Sequence, residues 1–286
     1  MGRLRHVRAA NPSAMTGTGT NSWLLGQGQV AVIDPGPDDA NHLAALLAAL
    51  DPGEEIAAIL VTHAHLDHSA LVPRLAQATG APVYAFGRAE EGRSALMQRL
   101  ADQGLRGGGE GIDSTFAPNH RLADGQVLTL GGLEIETIHT PGHMGGHLAF
   151  ACDGQLFSGD HAMGWATTLV SPPDGDMGAY MASLEKLAAR GWRQMLPGHG
   201  PAVDDVAQRL SELATHRRAR EVQIRATLAQ NPGTATEVAA RLYTDTAPAL
   251  LPAAARNVLA HLIDLTARNL AIPEGEITAQ TRFTAP

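Results

Sequence analysis

Val61-Thr62-His63-Ala64-His65-Leu66-Asp67-His68 places four potential metal ligands within six residues. Directly before it runs Ile56-Ala57-Ala58-Ile59-Leu60-Val61, short, apolar and partly β-branched, behind the turn signal Pro52-Gly53. That is the pattern of a buried strand. In a chain that is still extended, the side chains at 63, 65 and 67 share one face. The spacing of Leu71-Val72 and Leu75-Ala76 predicts a helix over about 68–79. His68 then falls at or near a helix N-terminus, where the dipole disfavours an imidazolium and keeps the ring neutral. A lone histidine here would read as a surface residue, but His-x-His-x-Asp-His is a ligand set. The stretch predicts a metal site at the end of a strand.

Outward from it, strands and helices alternate, the mark of an α/β layered core. Trp23-Leu24-Leu25 and Val30-Ala31-Val32-Ile33 flank Gly26-Gln27-Gly28 as two strands and stop at Asp34-Pro35-Gly36. Asp34 is read as an outer partner of the ligands. His42 to Leu50 has helical spacing, and Pro82-Val83-Tyr84-Ala85 reads as a short strand. Gly107-Gly108-Gly109 and Gly111 lie among polar residues without a Gly-Lys-Ser/Thr, so they predict a flexible surface segment rather than a phosphate loop. His120 beside it reads as a solvated loop residue. Hairpins are expected about Gly131-Gly132 and Asp153-Gly154. The first leads through 133–138 to His139-Thr140-Pro141-Gly142-His143, and the second ends at Gly159-Asp160. A helix over about 178–190 precedes Met195-Leu196-Pro197-Gly198-His199-Gly200.

Three places therefore repeat one design: an apolar strand, then a glycine-containing turn presenting His143, Asp160 or His199. With 63–68 they make seven candidate ligands and no thiolate. Seven exceed one tetrahedral zinc, while a bridging carboxylate allows two ions about 3.5–4 Å apart. His147 reads equally as an outer partner or a structural residue, and His161 as outer-shell or solvent-facing. His139 is not expected to be a ligand. Trp165, Thr167 and Thr168, just after Asp160, are candidates for the substrate mouth, with packing under a loop the competing account for Trp165.

The 286 residues suit one or two domains, and the 44% apolar share can build a sizeable core. Cys152 is the single cysteine, which excludes a disulfide framework and a thiolate zinc cluster, and it reads as a buried inert thiol. The basic start Met1-Gly2-Arg3-Leu4-Arg5 has no apolar region after it, and no run reaches membrane-spanning length, so a cytoplasmic protein without a membrane partner is expected. The net charge of -8 argues against tight non-specific nucleic-acid binding. It divides unevenly, -10 over residues 1–205 and +2 over 206–286.

In this order, His63-Ala64-His65-Leu66-Asp67-His68, Thr140-Pro141-Gly142-His143, Gly159-Asp160 and Pro197-Gly198-His199-Gly200 resemble the metallo-β-lactamase superfamily. The resemblance covers roughly residues 18–200. It implies an αββα sandwich with the site at one edge. It also implies that His63, His65 and His143 hold one metal and that Asp67, His68 and His199 hold a second, with Asp160 bridging. Two divalent ions are the implied cofactors, zinc first, with iron and manganese accepting the same donors. The expected reaction is hydrolysis of an ester, thioester, lactone or phosphodiester by a water activated between the ions, with Asp67 as ligand and general base together.

Residues 206–286 read as a second, mainly helical unit. Val206–Leu213 and His216–Gln230 are helical, Thr234 and Glu237 have capping-box spacing, and a long helix is expected over about 252–268. Leu270-Ala271-Ile272 and Ile277-Thr278-Ala279 would be two strands of a wing. The order resembles the winged-helix domain of one superfamily branch, which includes proteins acting on single-stranded RNA and is related to glyoxalase II, whose glutathione-binding tail is not evident here. The long helix offers only Arg256, His261 and Arg268 as exposed cations, thin for nucleic-acid reading. A wall of the active site or a homodimer contact is the expected role of this unit. A small molecule or single-stranded RNA is the expected substrate, with a mononuclear iron dioxygenase as the redox alternative.

Overall fold

A computed structural model describes residues 3–107 and 111–286. Gly108 and Gly109 of the expected flexible segment, and Met1-Gly2 of the basic start, lie outside the described residues. β1 (Leu4–Arg8) runs antiparallel to β2 (Asn21–Gln27), which turns into antiparallel β3 (Gln29–Ile33). The sequence does not announce β1, because this edge strand is only half buried and carries no apolar alternation. Helix α1 (Ala40–Ala48) leads to β4 (Glu55–Leu60), the strand under the ligand stretch, parallel to β3.

The helix expected over 68–79 is two. α2 (Leu66–Ser69) is a single turn, and α3 (Val72–Thr79) starts afresh after it. Pro73 at the start of α3 has no N–H to give to a preceding turn, which breaks the ladder there. β5 (Val83–Ala85) and, after α4 (Ala95–Asp102), β6 (His120–Arg121) extend the sheet in parallel. His120 is exposed and lies in this strand, stacked on Tyr84 with ring centroids 4.8 Å apart. The first sheet thus has six strands in sequence order.

β7 (Val127–Leu130), β8 (Leu133–His139), β9 (Leu148–Cys152) and β10 (Gln155–Gly159) form the second sheet as an antiparallel meander. Both expected hairpins are present. Asp153 and Gly154 both have positive φ, as a two-residue hairpin turn demands. α5 (Met177–Ala188) then returns the chain to β11 (Gln194–Pro197), parallel to β10.

The sheets pack face to face. Trp23, Leu25, Ile33 and Leu60 of one meet Phe150, Phe157 and Leu196 of the other, with Cys152 buried beside them. On the outer face of the first sheet lie Leu46 of α1 and Leu75 of α3. On the outer face of the second lie Tyr180, Leu184 and Leu187 of α5. This is the αββα order, and period-two alternation sends Leu24 to one face and Trp23 and Leu25 to the other.

α6 (Val206–Gln230) is one 25-residue helix where the sequence predicts two segments, since no Gly or Pro interrupts it. Its first half, with Val206, Leu210 and Leu213, completes the core over α5. Its second half, with Ile224 and Leu228, enters the core of the C-terminal unit. The remaining elements are β12 (Gly233–Thr234), α7 (Ala235–Leu242), α8 (Leu251–Ala267), β13 (Ile272–Pro273) and β14 (Arg282–Thr284). The capping box on Thr234 and Glu237 is formed in both directions. The wing differs from expectation: its second strand is 282–284, not 277–279, and pairs with both β12 and β13. Phe283 anchors it in the core, whereas the Thr278 and Thr281 hydroxyls bond local backbone N–H groups and carbonyls and draw 277–281 into a turn. No helix among the described residues is long and apolar enough to cross a membrane.

Candidate metal centre

The ligand stretch leaves β4 at Leu60 and turns at His65, the N-cap of α2, so that Asp67 and His68 project from its single turn. His143 follows β8, Asp160 directly follows β10 and His199 follows β11. All seven expected ligands meet at this one sheet edge. Asn21 anchors the His199 turn, its amide donating to the carbonyls of Pro197 (3.0 Å) and Gly200 (2.8 Å). Two glycines make the approach possible. A Cβ on Gly198 would stand 2.5 Å from Oδ1 of Asp160, and one on Gly159, at φ +48°, would stand 2.6 Å from Nε2 of His147.

Three ligand trios have their donor atoms within 4.8 Å of one another: His63, His65 and His143; His63, His68 and Asp160; and Asp67, His68 and His199. Nδ1 of His65 lies 3.0 Å from Nε2 of His63 and 3.0 Å from Nε2 of His143. Nε2 of His199 lies 3.1 Å from Asp67 and 3.3 Å from Asp160, and Nε2 of His68 lies 3.4 Å from Asp160. Such spacings suit the edges of a coordination tetrahedron, about 3.3 Å for bonds of 2.0–2.1 Å. Asp160 also reaches toward the first trio, 3.9 Å from Nε2 of His143.

The outer nitrogens are tied down so that the inner ones carry lone pairs. Nδ1 of His143 faces the carbonyl of Leu169 at 2.6 Å, and Nδ1 of His199 faces that of Gly19 at 3.3 Å. A carbonyl only accepts, so each Nδ1 must hold the proton and each Nε2 is left bare when the ring is neutral. Nδ1 of His68 lies 2.9 Å from Asp34 Oδ2. The same carboxylate accepts from the Thr62 hydroxyl at 2.8 Å, and that oxygen faces Nδ1 of His63 at 2.9 Å. Asp34, at φ +51° and buried, therefore orients one ligand directly and another through Thr62. Imidazole nitrogens aimed at one another around the buried Asp160 carboxylate are a donor set that could hold metal.

The two halves differ in charge. Burial, with the neighbouring histidines, holds His63 well below its ordinary pKa and His65 at about 3. Burial also opposes charge on His68, but Asp67, Asp160 and Asp34 outweigh it and raise the group well above its usual range. His199 rises to about 9 in the same way, against burial, through Asp160 and Asp67. At His68 three carboxylates therefore act against the single turn of helix whose dipole disfavours an imidazolium. Asp67 falls to about 2, its burial overcome by His68 and His199.

His147 is fully buried, with Nδ1 2.8 Å from the Thr140 hydroxyl and its ring against His63. His161, expected outer-shell or solvent-facing, is fully buried against the Tyr180 ring with neither nitrogen partnered. His139 faces away from the cluster, with Nε2 2.8 Å from the carbonyl of Gly145. A cavity of about 630 Å³ opens over the cluster between the sandwich edge and the C-terminal unit. Trp165, 41% exposed, and Thr167 line it. Thr168 does not: it is buried, and its hydroxyl donates to the carbonyl of Asp160. Sequence reading misses Thr62, Asn21 and the Leu169 carbonyl, none of which has a residue type that marks its role; only the place of Thr62 inside the ligand stretch points to it.

Residues 15–199 match the metallo-beta-lactamase superfamily, and residues 234–279 match the beta-lactamase associated winged helix domain. A Drosophila melanogaster protein named beta-lactamase-like protein 2 homolog is 34% identical over 271 residues, 91% of this chain and 86% of that protein. An Aspergillus chevalieri protein named atrochrysone carboxyl ACP thioesterase is 31% identical over 228 residues, which are 78% of this chain and 64% of its own length. Among solved structures, a metallo-beta-lactamase family protein from Thermus thermophilus superposes with a TM-score of 0.76 at 25% identity, over 99% of this chain and 98% of that one. With the αββα order and the ligand cluster in place, these likenesses make the chain a member of the metallo-beta-lactamase superfamily, in the branch that carries a C-terminal winged-helix domain.

Proposed function

We propose that the chain is a metal-dependent hydrolase of acyl esters or thioesters whose acyl group is apolar. The observation that carries this reading is the lining of the cavity over the cluster. Met15, Leu66, Met163, Trp165, Leu250 and Ala254 surround it, and the last two come from the C-terminal unit. Such a wall suits an acyl chain, and Arg217, which also lines it, is buried and bonded to Thr168 and Asn257. The cations expected on α8 are also committed elsewhere. His261 is buried, Arg268 pairs with Glu221 and Asp264, and Arg256 is bonded to Ser171 and Pro172. The thioesterase name of one relative agrees with the reading.

Two divalent ions, zinc first, would be held by His63, His65 and His143 on one side and by Asp67, His68 and His199 on the other, with Asp160 between. When bound, such a pair lowers the pKa of a shared water and polarises the carbonyl to be attacked. The residues do the rest. Asp67 is the most open of the carboxylates in the cluster, its side chain 27% exposed toward the cavity. It orients the attacking water, and its low pKa makes it a better hydrogen-bond acceptor than a proton store. Trp165 and Leu66 exclude water from the acyl side.

The test is turnover of the metal-reconstituted protein on acyl thioesters of rising chain length and on single-stranded RNA, with metal content measured on the same sample. Expected are two metals per chain, thioester hydrolysis that improves with acyl length, and a loss on the order of 10²–10⁴-fold in Asp67→Ala. RNA cleavage without thioester turnover would replace the reading by a nuclease. One iron per chain would replace it by the dioxygenase alternative.

A further inference from the structure

Arg217 is the largest fully buried side chain, 2% exposed, and no carboxylate pairs with it among the described residues. A guanidinium buried without a counter-charge is costly unless its N–H groups find acceptors of good geometry. Its acceptors are specific. Nη2 donates to the carbonyl of Thr168, and Nη1 donates to Oδ1 of Asn257 at 3.2 Å, with the guanidinium 5.3 Å from the Tyr180 ring centre. Oδ1 of Asn257 also accepts from the backbone N–H of Val170 at 3.0 Å. The residue after Val170 is held likewise: Arg256 Nε donates to the Ser171 hydroxyl at 2.8 Å. The segment 168–171 is therefore gripped, at two backbone groups and one hydroxyl, by side chains of α6 and α8.

The same segment grips the metal cluster. The Leu169 carbonyl receives Nδ1–H of His143, and the Thr168 hydroxyl donates to the main chain of Asp160. We infer that Arg217 and Asn257 are positioning residues for the metal centre, holding Thr168, Leu169 and Val170 so that His143 and the bridging Asp160 keep their donor atoms aimed inward. Side chains of α6 and α8 then set the metal affinity of a site whose ligands all lie before residue 200. Lysine could not replace Arg217, since one ammonium cannot span the Thr168 carbonyl and Asn257 as a planar fork does. Asp could replace Asn257 at the loop, because a carboxylate oxygen accepts both bonds and only the long 3.3 Å donation from Nδ2 to the Ala253 carbonyl is lost.

This inference rests on the metal-site reading, and the experiment separates the two. Zinc affinity is measured by chelator competition on the full chain for wild type, Asn257→Leu, Asn257→Asp, Arg217→Lys and Val258→Ala. Val258 neighbours Asn257 on α8 but is buried in the C-terminal core away from the loop, so it reports plain destabilisation. In parallel, nitrogen-15 shifts of the metal-free proteins report whether His143 carries its proton on Nδ1. Asn257→Leu and Arg217→Lys are expected to weaken zinc binding about 10–100-fold and to mix the His143 tautomers. Asn257→Asp is expected to bind like the wild type, and Val258→Ala to lose thermal stability but not affinity. Wild-type affinity in Asn257→Leu, or an equal loss in Val258→Ala, would overturn the inference. A wild type that binds no zinc would instead remove the metal reading, and the His143 tautomer would still decide the tie.

Discussion

Gly198 shows how little room the cluster leaves at the scale of single atoms. Its backbone is not in the left-handed region, so alanine is disfavoured there by space alone. The added carbon would stand 2.5 Å from Oδ1 of Asp160, the carboxylate between the two halves, and 2.7 Å from Cε1 of His68 in the second half. Gly198→Ala is expected to displace both and weaken metal binding by about tenfold or more, with the first trio retaining one ion. Stoichiometry and affinity by chelator competition check this; two ions bound with wild-type affinity would show that the turn gives way instead. Ligands such as His63 and His199 are legible in the sequence because their spacing and glycine neighbours are unusual. The groups that aim them are not. Leu169 acts through a carbonyl every residue owns, and Arg217 lies far from any motif.

Individual elements carry their own tests. In α8, His261 is buried with neither ring nitrogen bonded, and burial, then the charges of Arg217 and Arg220, hold its pKa at about 3. An unfolded histidine titrates near 6.5, so between these values the unfolded chain binds the extra proton. Stability contributed by the neutral ring is whole above about pH 6.5 and is lost as pH falls toward 3. His261→Leu removes both the proton site and two unsatisfied nitrogens. It is expected to hold or raise Tm at pH 7.5 and to flatten the fall between pH 6.5 and 4.5, measured by thermal unfolding across that range. A variant whose Tm falls with acid as steeply as the wild type would refute the assignment. Element positions follow the sequence where periodicity or turn residues are strong, as in β2, β3, β9 and β10. They depart from it where the deciding fact is tertiary: the wing strand lies where Phe283 finds a core, and α4 has little sequence signal because it is a short helix packed on another unit's core.

For the molecule as a whole, packing across residue 205 decides where the chain can be cut. Val206, Leu210, Leu213 and Ala214 of α6 cover α5 and the second sheet, while Ile224 and Leu228 of the same helix serve the winged-helix unit. Losing four buried side chains of this kind removes on the order of several kcal/mol, at about 1.5–3 kcal/mol for each large aliphatic one. A chain ending at 205 is therefore expected to lose its cooperative unfolding transition. One ending at 220 keeps these four and is expected to remain folded but to lose one wall of the cavity. Circular dichroism melts of the two fragments check this, and equal melts would show that α6 is dispensable to the sandwich. α6 thus belongs to two cores at once, its first half to the sandwich and its second half to the C-terminal unit.

The scatter of the ligands along the chain has a further consequence, for folding. His63 and His199 lie at the two ends of the set, and His143 and Asp160 fall between them, each at a different strand end. Bringing such distant segments together requires closing long loops, whose entropic cost falls on the polypeptide before any ion is gripped on all sides. Cations held there would be expected to meet a finished scaffold and not to nucleate it. Their stabilisation would then belong to the native state alone, so added zinc is expected to slow unfolding and leave the folding rate almost unchanged, as stopped-flow kinetics with and without the metal would show.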